Sequence, residues 1–534
     1  MQNPDSSLRR GVLRSTAVVS GCTAVSRVLG LVREILMAWF FGTSLAKSAF
    51  DVAFLIPNLL RRLFGEGALS AAFVPVFSET LEKKGRESAS LLAGRVMTLL
   101  GAVLGATVVL GMAVVTLIMQ VAPLGERAAA VMPLLRIMLP YAFFICLVAL
   151  CMAILNSFRR FALPAFTPVL LNVVWIAALL AVCPLFGATP AQRIYGAAWA
   201  VLAAGCLQLL VQVPGLRGVG IRPPPAFDWR APGVRKVLLL MGPAAVGMGV
   251  FQVNAFMDRV LAMIAAPWAP AALTYAERLI YLPLGVFATA LGTVLLPTFS
   301  LQAARDERRE ILDTLNLSLR GLMLVMMPAA IGLAVLAVPV VRLLFAWEGG
   351  EFGTASTVFT ARAVAFYAPG LVVFSLYKVF VPAFYARKDT LTPVRVSVRV
   401  VFLNLALNIL FLLTWPQGYK HGGLAFATVL ASAVNCGTLT LILHRTLGTP
   451  GWRGILASWG RTLIAAGAMG AAVWYVDRRA VFAPALADAP AKLSETASLL
   501  GCIACGLVVY AACIRVLNRR DIAELRQRRR RPGA

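Results

Sequence analysis

Five arginines stand inside stretches that are otherwise fit only for an apolar environment: Arg27 and Arg33 in the first long hydrophobic segment, Arg61 and Arg62 in the second, and Arg278 in a later one. A charged side chain at a bilayer centre costs at least about 2.5 kcal/mol on insertion scales, so such residues face a cavity or a partner. Arginine presents a rigid fork of donors that stays charged and matches phosphate oxygens, whereas lysine acts as a point charge. No lysine occurs in the interior of the arginine-bearing segments. Recognition of an anion, with phosphate or diphosphate the best match, is the chemistry these residues offer.

On a helix of 3.6 residues per turn, Arg27 and Arg33 lie about 9 Å apart along the axis and about 120 degrees apart around it, close enough to bracket one bulky anion. Arg61 and Arg62 precede Gly65-Glu66-Gly67, where weak helix formers predict a break in the second helix. Broken helices often line substrate sites in transporters. The competing reading is structural: Arg27, Arg33 and Arg278 would pair with Glu34, Asp51, Asp258 or Glu277 and pin helices together. For Arg62 the structural role is the favoured one, because adjacent helical residues face different ways. Asp258 and Arg259 equally read as a local pair at a helix end. Asn404, Asn408 and Thr428 form a weak candidate for a small-cation site, although residues of this kind more often hydrogen-bond between helices.

The elements that must position these residues are membrane-spanning helices. Of the 534 residues, 60% are hydrophobic and the mean hydropathy is +0.82, against about 45 to 50% apolar in ordinary soluble domains. Apolar stretches long enough to cross a bilayer recur along the whole chain. Fourteen helices are expected, at 12–41, 47–80, 88–122, 128–157, 163–186, 190–214, 233–266, 269–301, 310–346, 355–386, 391–415, 421–446, 454–477 and 494–517. The first carries Arg27, Arg33 and Glu34 and lacks a small-residue cleavage site, so it does not read as a removable signal peptide.

Cytoplasmic loops accumulate Lys and Arg, and here every second joint is basic, from Lys83, Lys84 and Arg86 through Arg159 and Arg160 to Arg387, Lys388, Arg445 and Arg453. Both termini are therefore expected in the cytoplasm, in keeping with a tail that runs from Arg515 through Arg528, Arg529, Arg530 and Arg531. The formal net charge of +27 comes mainly from these loops and the tail, which set topology and meet anionic lipid. Cations that follow loop sidedness, with no nucleic-acid motif, argue against nucleic-acid binding. Nine cysteines, all in apolar segments, read as small hydrophobes, and two histidines give no basis for a metal centre. No phosphate loop of the G-x-x-x-x-G-K-[ST] type is present, so ATP hydrolysis by that route is not expected.

Two stretches repeat at an offset of about 225 residues, a common way to build a transporter. Residues 56–78, IPNLLRRLFGEGALSAAFVPVFS, echo residues 282–300, LPLGVFATALGTVLLPTFS, with Pro57 matching Pro283 and Pro75 matching Pro297. Thr167-Pro168-Val169 then matches Thr392-Pro393-Val394 at nearly the same separation. Six helices per copy is an even number, so the copies share one orientation about an axis along the membrane normal. The fold class expected is an all-α integral membrane protein of two pseudo-symmetric six-helix lobes around a central cationic cavity, plus two C-terminal helices. The divisions are an N-lobe over 1–222, a cytoplasmic linker over 223–232, a C-lobe over 233–447, helices 13 and 14 over 448–518, and a basic cytoplasmic tail over 519–534.

The chain resembles the MurJ (MviN) lipid II flippases of bacterial peptidoglycan synthesis, within the multidrug, oligosaccharidyl-lipid and polysaccharide exporter superfamily. The resemblance is carried by SRVLGLVRE at 26–34, PNLLRRLFGEGALSAAFVPVF at 57–77, ILNSFRRFALPAFTPVLLN at 154–172, YAERLIYLPLGVFATALGTVLLPTFS at 275–300 and FYARKDTLTPV at 384–394. It implies a non-enzymatic transporter of the inner membrane that moves lipid II to the outer leaflet by alternating access. It further implies that Arg27, Arg33, Arg61 and Arg278 bind the diphosphate while the undecaprenyl tail stays in lipid. Ser26, Asp51, Asn58, Glu66 and Asp258 are the candidate gating or supporting residues. Two departures stand out: Ser48 replaces an aspartate often found at the start of the family's second helix, and Tyr281 replaces an acidic residue three positions after Arg278. Asp51 shares a helix face with Ser48 and is placed to take over the first role.

No cofactor is expected; the drive is the membrane potential, at about 2.3 kcal/mol per charge per 100 mV, or a monovalent cation. Expected partners are lipid II, membrane lipid and, as candidates, cell-wall synthesis proteins, with the chain itself a monomer. The rivals are a flippase for another polyprenyl-diphosphate-linked oligosaccharide and, from a different class, a membrane glycosyltransferase. The latter needs catalytic carboxylates near an outer loop, which the sequence does not offer.

Overall fold

The computed structural model describes residues 4–62, 69–479, 481 and 490–519. The side chains of residues 1–16, which include Arg9, Arg10 and Arg14, and the tail from residue 520 lie outside that description.

In chain order the helices are α1 (Pro4–Phe41), α2 (Leu45–Leu60), α3 (Leu69–Val121), α4 (Glu126–Met138), α5 (Tyr141–Ser157), α6 (Ala162–Ala181), α7 (Pro190–Gly218), α8 (Pro232–Ala265), α9 (Ala269–Pro283), α10 (Thr289–Ala304), α11 (Arg308–Val335), α12 (Ala337–Phe345), α13 (Thr354–Tyr367), α14 (Gly370–Ala386), α15 (Leu391–Thr414), α16 (Lys420–Leu447), α17 (Trp452–Arg478) and α18 (Ala491–Leu517). Every expected apolar segment falls on one of these or on a broken pair of them. Among the described residues eight helices are long and apolar enough to cross a membrane, or up to ten if each of two bent pairs counts as one span.

The breaks have local causes. α1 stops at Gly42, whose φ of 54° is the left-handed turn that glycine adopts without a Cβ clash. Ser44 then caps α2, its side chain accepting a hydrogen bond from Lys47 N at 3.3 Å, which satisfies one of the helix's orphan donors. α3 is two helices joined across Gly85, at φ 79°, in the basic joint expected from Lys83, Lys84 and Arg86. α4 and α5 meet at 40° and α13 and α14 at 44°. Pro140 and Pro369 sit at these two junctions, where a missing N–H and a ring clash end regular hydrogen bonding.

The chain divides into two compact units, Met1–Ala271 and Ala272–Ala534. In the first, α5 packs on α3 and α7, α6 on α7, and α4 on α7. In the second, α14 packs on α10, α11 and α16, α15 on α16, and α13 on α16. The neighbours thus recur in the same order. The chain reversals recur as well: Arg159 (φ 57°) and Lys388 (φ 62°) are two of three non-glycine residues with positive φ among the described residues. Each closes its helix with the next N–H donating back, Arg160 N to Leu155 O at 2.9 Å and Asp389 N to Phe384 O at 3.1 Å. Pro57 and Pro283 are both followed by wide helical turns, at Arg61-Arg62 and over Leu284–Ala288.

Within the first unit, the proline-rich linker after α7 is strapped along α3. Ala226 N donates to Thr98 Oγ1 at 3.2 Å, Asp228 pairs with Arg95 at 3.2 Å and also accepts from Ala231 N at 3.1 Å. Gly94 makes the close approach possible, since a Cβ there would overlap the backbone oxygen of Pro224. Gly94→Ala is therefore expected to destabilise by about 1 to 3 kcal/mol through overpacking. Arg95→Ala, which breaks a half-exposed pair, is expected to cost less than about 1 kcal/mol. Thermal unfolding midpoints of the two variants in detergent check the order.

Candidate functional site

α1 presents Ser26, Gly30 and Arg33 along one stripe, at the i, i+4 and i+7 spacing that shares a helix face. Opposite lies α6, with Asn172 and Trp175 three residues apart on a common face. The two helices are direct neighbours. The Arg33 guanidinium meets three groups. Nη1 donates to Asn172 Oδ1 at 3.0 Å, Nη2 donates to Glu34 Oε1 at 2.7 Å, and the carbon of the fork stands 4.4 Å from the centroid of the Trp175 ring. Asn172 completes the bridge by donating Nδ2 to the backbone oxygen of Ser26 at 3.0 Å and to its hydroxyl at 3.3 Å. Glu34 is 5% exposed and Trp175 4%, so the cluster is largely withdrawn from solvent. Arg33 Nε and Trp175 Nε1 are buried donors without an acceptor among the described residues.

Arg33 thus satisfies part of the structural reading, since a carboxylate of its own helix neutralises it. It also keeps donors in reserve. Of its three partners only Glu34 carries charge; Asn172 and Trp175 are neutral.

Arg27 is exposed. Arg61, half-buried, donates Nε to Asn58 Oδ1 at 3.0 Å and forms part of the wall of a cavity of about 380 Å³ within the first unit. Ser70, Tyr141, Asn156, Thr167 and Gln208 are its other polar walls, against apolar side chains of α5 and α6. Behind them Gln208 Nε2 donates to Thr167 O at 2.8 Å and Gln212 Nε2 to Thr167 Oγ1 at 2.7 Å. Arg62 is exposed and donates to Gln252 Oε1 at 3.3 Å, in line with its different facing. Glu66 lies outside the described residues, as do Gly65 and Gly67.

Asp51 is engaged on its own helix: both carboxylate oxygens accept from Lys47 Nζ, at 2.6 and 2.7 Å. The Lys47 side chain is only 2% exposed, an interior cation that the sequence reading missed because it opens its helix. Ser48, also buried, accepts from Ala271 N at 3.3 Å. Asp258 accepts from Asn254 Nδ2 at 3.4 Å one turn earlier; it sits within α8 rather than at its end.

In the second unit Arg278 is exposed, and its neighbour Glu277 accepts a hydrogen bond from Tyr367 at 3.2 Å. Asn408 Nδ2 donates to Asn404 Oδ1 at 3.0 Å and Asn404 Nδ2 to Thr428 Oγ1 at 3.5 Å. The trio therefore links α15 to α16, which is the hydrogen-bonding use of such residues.

Eight to ten apolar helices among the described residues, with Arg33 held between two helices, are the pattern of a polytopic membrane protein. The chain belongs to the lipid II flippase MurJ family, whose profile matches residues 37–485. A relative from Burkholderia cenocepacia named lipid II flippase MurJ is 36% identical over 471 residues, covering 86% of this chain and 89% of the relative. A solved structure of lipid II flippase MurJ in an inward closed conformation is 26% identical and matches with a TM-score of 0.76, over 94% of this chain and 99% of that one. The inward-facing conformation of a multidrug resistance MATE family transporter of the MOP superfamily matches with a TM-score of 0.62 at 16% identity, over 79% of this chain and 95% of that one. That last likeness concerns the fold alone.

Removing one partner of a buried ion pair strands the other charge at a cost of about 3 to 5 kcal/mol. Asp51→Asn is accordingly expected to lower the unfolding midpoint sharply, and Lys47→Met added to it to restore most of the loss. Unfolding of the single and double variants in detergent measures both steps.

Proposed function

We propose that the chain carries the lipid-linked peptidoglycan precursor lipid II from the cytoplasmic to the outer leaflet of the bacterial inner membrane by alternating access, supplying cell wall synthesis. The observation that carries this reading is the family match over residues 37–485. The arginines in apolar helices give it a chemistry. Arg27, Arg33 and Arg61 from the first half and Arg278 from the second bind the diphosphate, with Ser26 and Asn58 supporting their neighbours.

Fourteen spans in two six-helix lobes plus two further helices give an even count. The alternating basic joints then place both termini in the cytoplasm. Cargo drives closure only through its different affinity for the two states. A diphosphate competes with Glu34 for the Arg33 fork through charge-assisted hydrogen bonds, and it drives closure to the extent that the closed state holds it more tightly. Charge carried on moving helices couples the motion to the membrane potential.

Depletion with complementation tests the reading. Cells that lose the protein should accumulate lipid II in the inner leaflet, and Arg27→Ala or Arg278→Ala, inserted and expressed normally, should fail to restore growth. Rescue of growth and of lipid II export by these variants would contradict the assignment of the arginines. Accumulation of a different lipid-linked oligosaccharide would replace the cargo.

A further inference from the structure

We infer that Asn172 and Trp175 are positioning residues for Arg33, forming a neutral clamp that holds its guanidinium ready for the diphosphate; the inference rests on the proposed role of Arg33 as a cargo-binding cation. Three observations converge on it. The first is the reach of Asn172, whose amide ties both ends of the α1 stripe at once, accepting from Arg33 Nη1 at 3.0 Å and donating to Ser26 at 3.0 and 3.3 Å. Gly30 lies between those two contacts, where a Cβ would come within 3.8 Å of Asn172 Nδ2. A carboxamide is the group that can accept from a guanidinium and donate to a backbone carbonyl together.

The second is the stack of Arg33 on Trp175 at 4.4 Å, the ring for which a cation over the face is held best. Trp175 is itself braced from α2, with ring centroids of Phe50 at 5.4 Å and Phe54 at 5.8 Å, both edge-on. Its plane is therefore fixed by three helices. The third is charge: neither residue neutralises the guanidinium, so the clamp survives departure of Glu34, the only carboxylate within ion-pair distance of Arg33 among the described residues. A flexible arginine loses several rotamers on binding an anion. One already stacked and bridged loses little.

The test uses the purified full-length protein in nanodiscs, with lipid II as the titrant. Asn172→Ala and Trp175→Leu should each weaken binding about tenfold, the scale of a hydrogen bond or stack to a charged group. In an Arg33→Ala background the same substitutions should change nothing further, because coupled residues are non-additive. Trp175→Phe, which keeps an aromatic face though a weaker one, should lose less than Trp175→Leu, and equal loss by the two would count against the stack. Unfolding midpoints report whether each variant is folded.

Equal weakening by Asn172→Ala with and without Arg33 would overturn the inference, since a packing role predicts that result. So would full-strength binding by both Asn172→Ala and Trp175→Leu. Normal binding by Arg33→Ala alone would overturn the underlying reading of Arg33, and the clamp with it. The two failures are thereby distinguished.

Discussion

A guanidinium inside an apolar helix is the constraint around which this molecule is organised. Such a group is neutralised by a neighbour, bridged by neutral dipoles, or kept for an anion that comes and goes. Arg33 shows the first two at once, with Glu34 at 2.7 Å and Asn172 at 3.0 Å. Arg61 has Asn58 one turn back and a cavity in front. Lys47 is the contrasting case, a cation closed off by both oxygens of Asp51 and so committed to structure. The difference between a held cation and a committed one is the ground for proposing Arg33 and Arg61 as binding residues and Lys47 as a pin.

Positioning these cations requires helices that break at fixed places. Proline supplies the breaks at Pro140 and Pro369, and left-handed residues at Arg159 and Lys388 turn the chain after α5 and α14. Because the same devices recur in both units, the corresponding helices acquire corresponding neighbours. Non-glycine residues at positive φ are uncommon and strained. Their presence at two matched basic turns, each closed by a backward hydrogen bond, reflects a shape imposed on both copies of one motif.

Much of the helical layout was legible in the sequence, since hydropathy and charge report directly on burial in an apolar phase. Lys83, Lys84 and Arg86 marked the joint within α3, which turns at Gly85, whereas Pro140 and Pro369, at the matched breaks, lie outside the prolines that marked the repeat. Side-chain partnerships were legible only where they are local, as for Arg33 with Glu34; the bond of Arg61 to Asn58 was not read, although Asn58 stood among the supporting candidates. Asn172 stood at the end of a quoted motif, yet its contact with Arg33 spans 139 residues of sequence, and no periodicity encodes such a meeting. Lys47 was passed over because it sits at a helix start, where a lysine ordinarily reaches water; the closure of Asp51 over it depends on tertiary packing. Among the described residues the apolar-span count is eight to ten; α1 carries Arg27, Arg33 and Glu34 and α2 has 16 residues, so neither reads as an apolar span by length and composition alone.

Discrimination between phosphate forms by the purified protein bears most directly on this account. Wild-type protein in nanodiscs would be titrated with lipid II and, separately, with undecaprenyl monophosphate, in the presence and absence of inorganic pyrophosphate. If rigid arginine forks select a diphosphate, lipid II should bind at least about tenfold tighter than the monophosphate, and pyrophosphate should compete with it. Equal affinity for the two lipids, unmoved by pyrophosphate, would mean that the tail or the lipid surface governs binding and that the interior arginines serve another purpose.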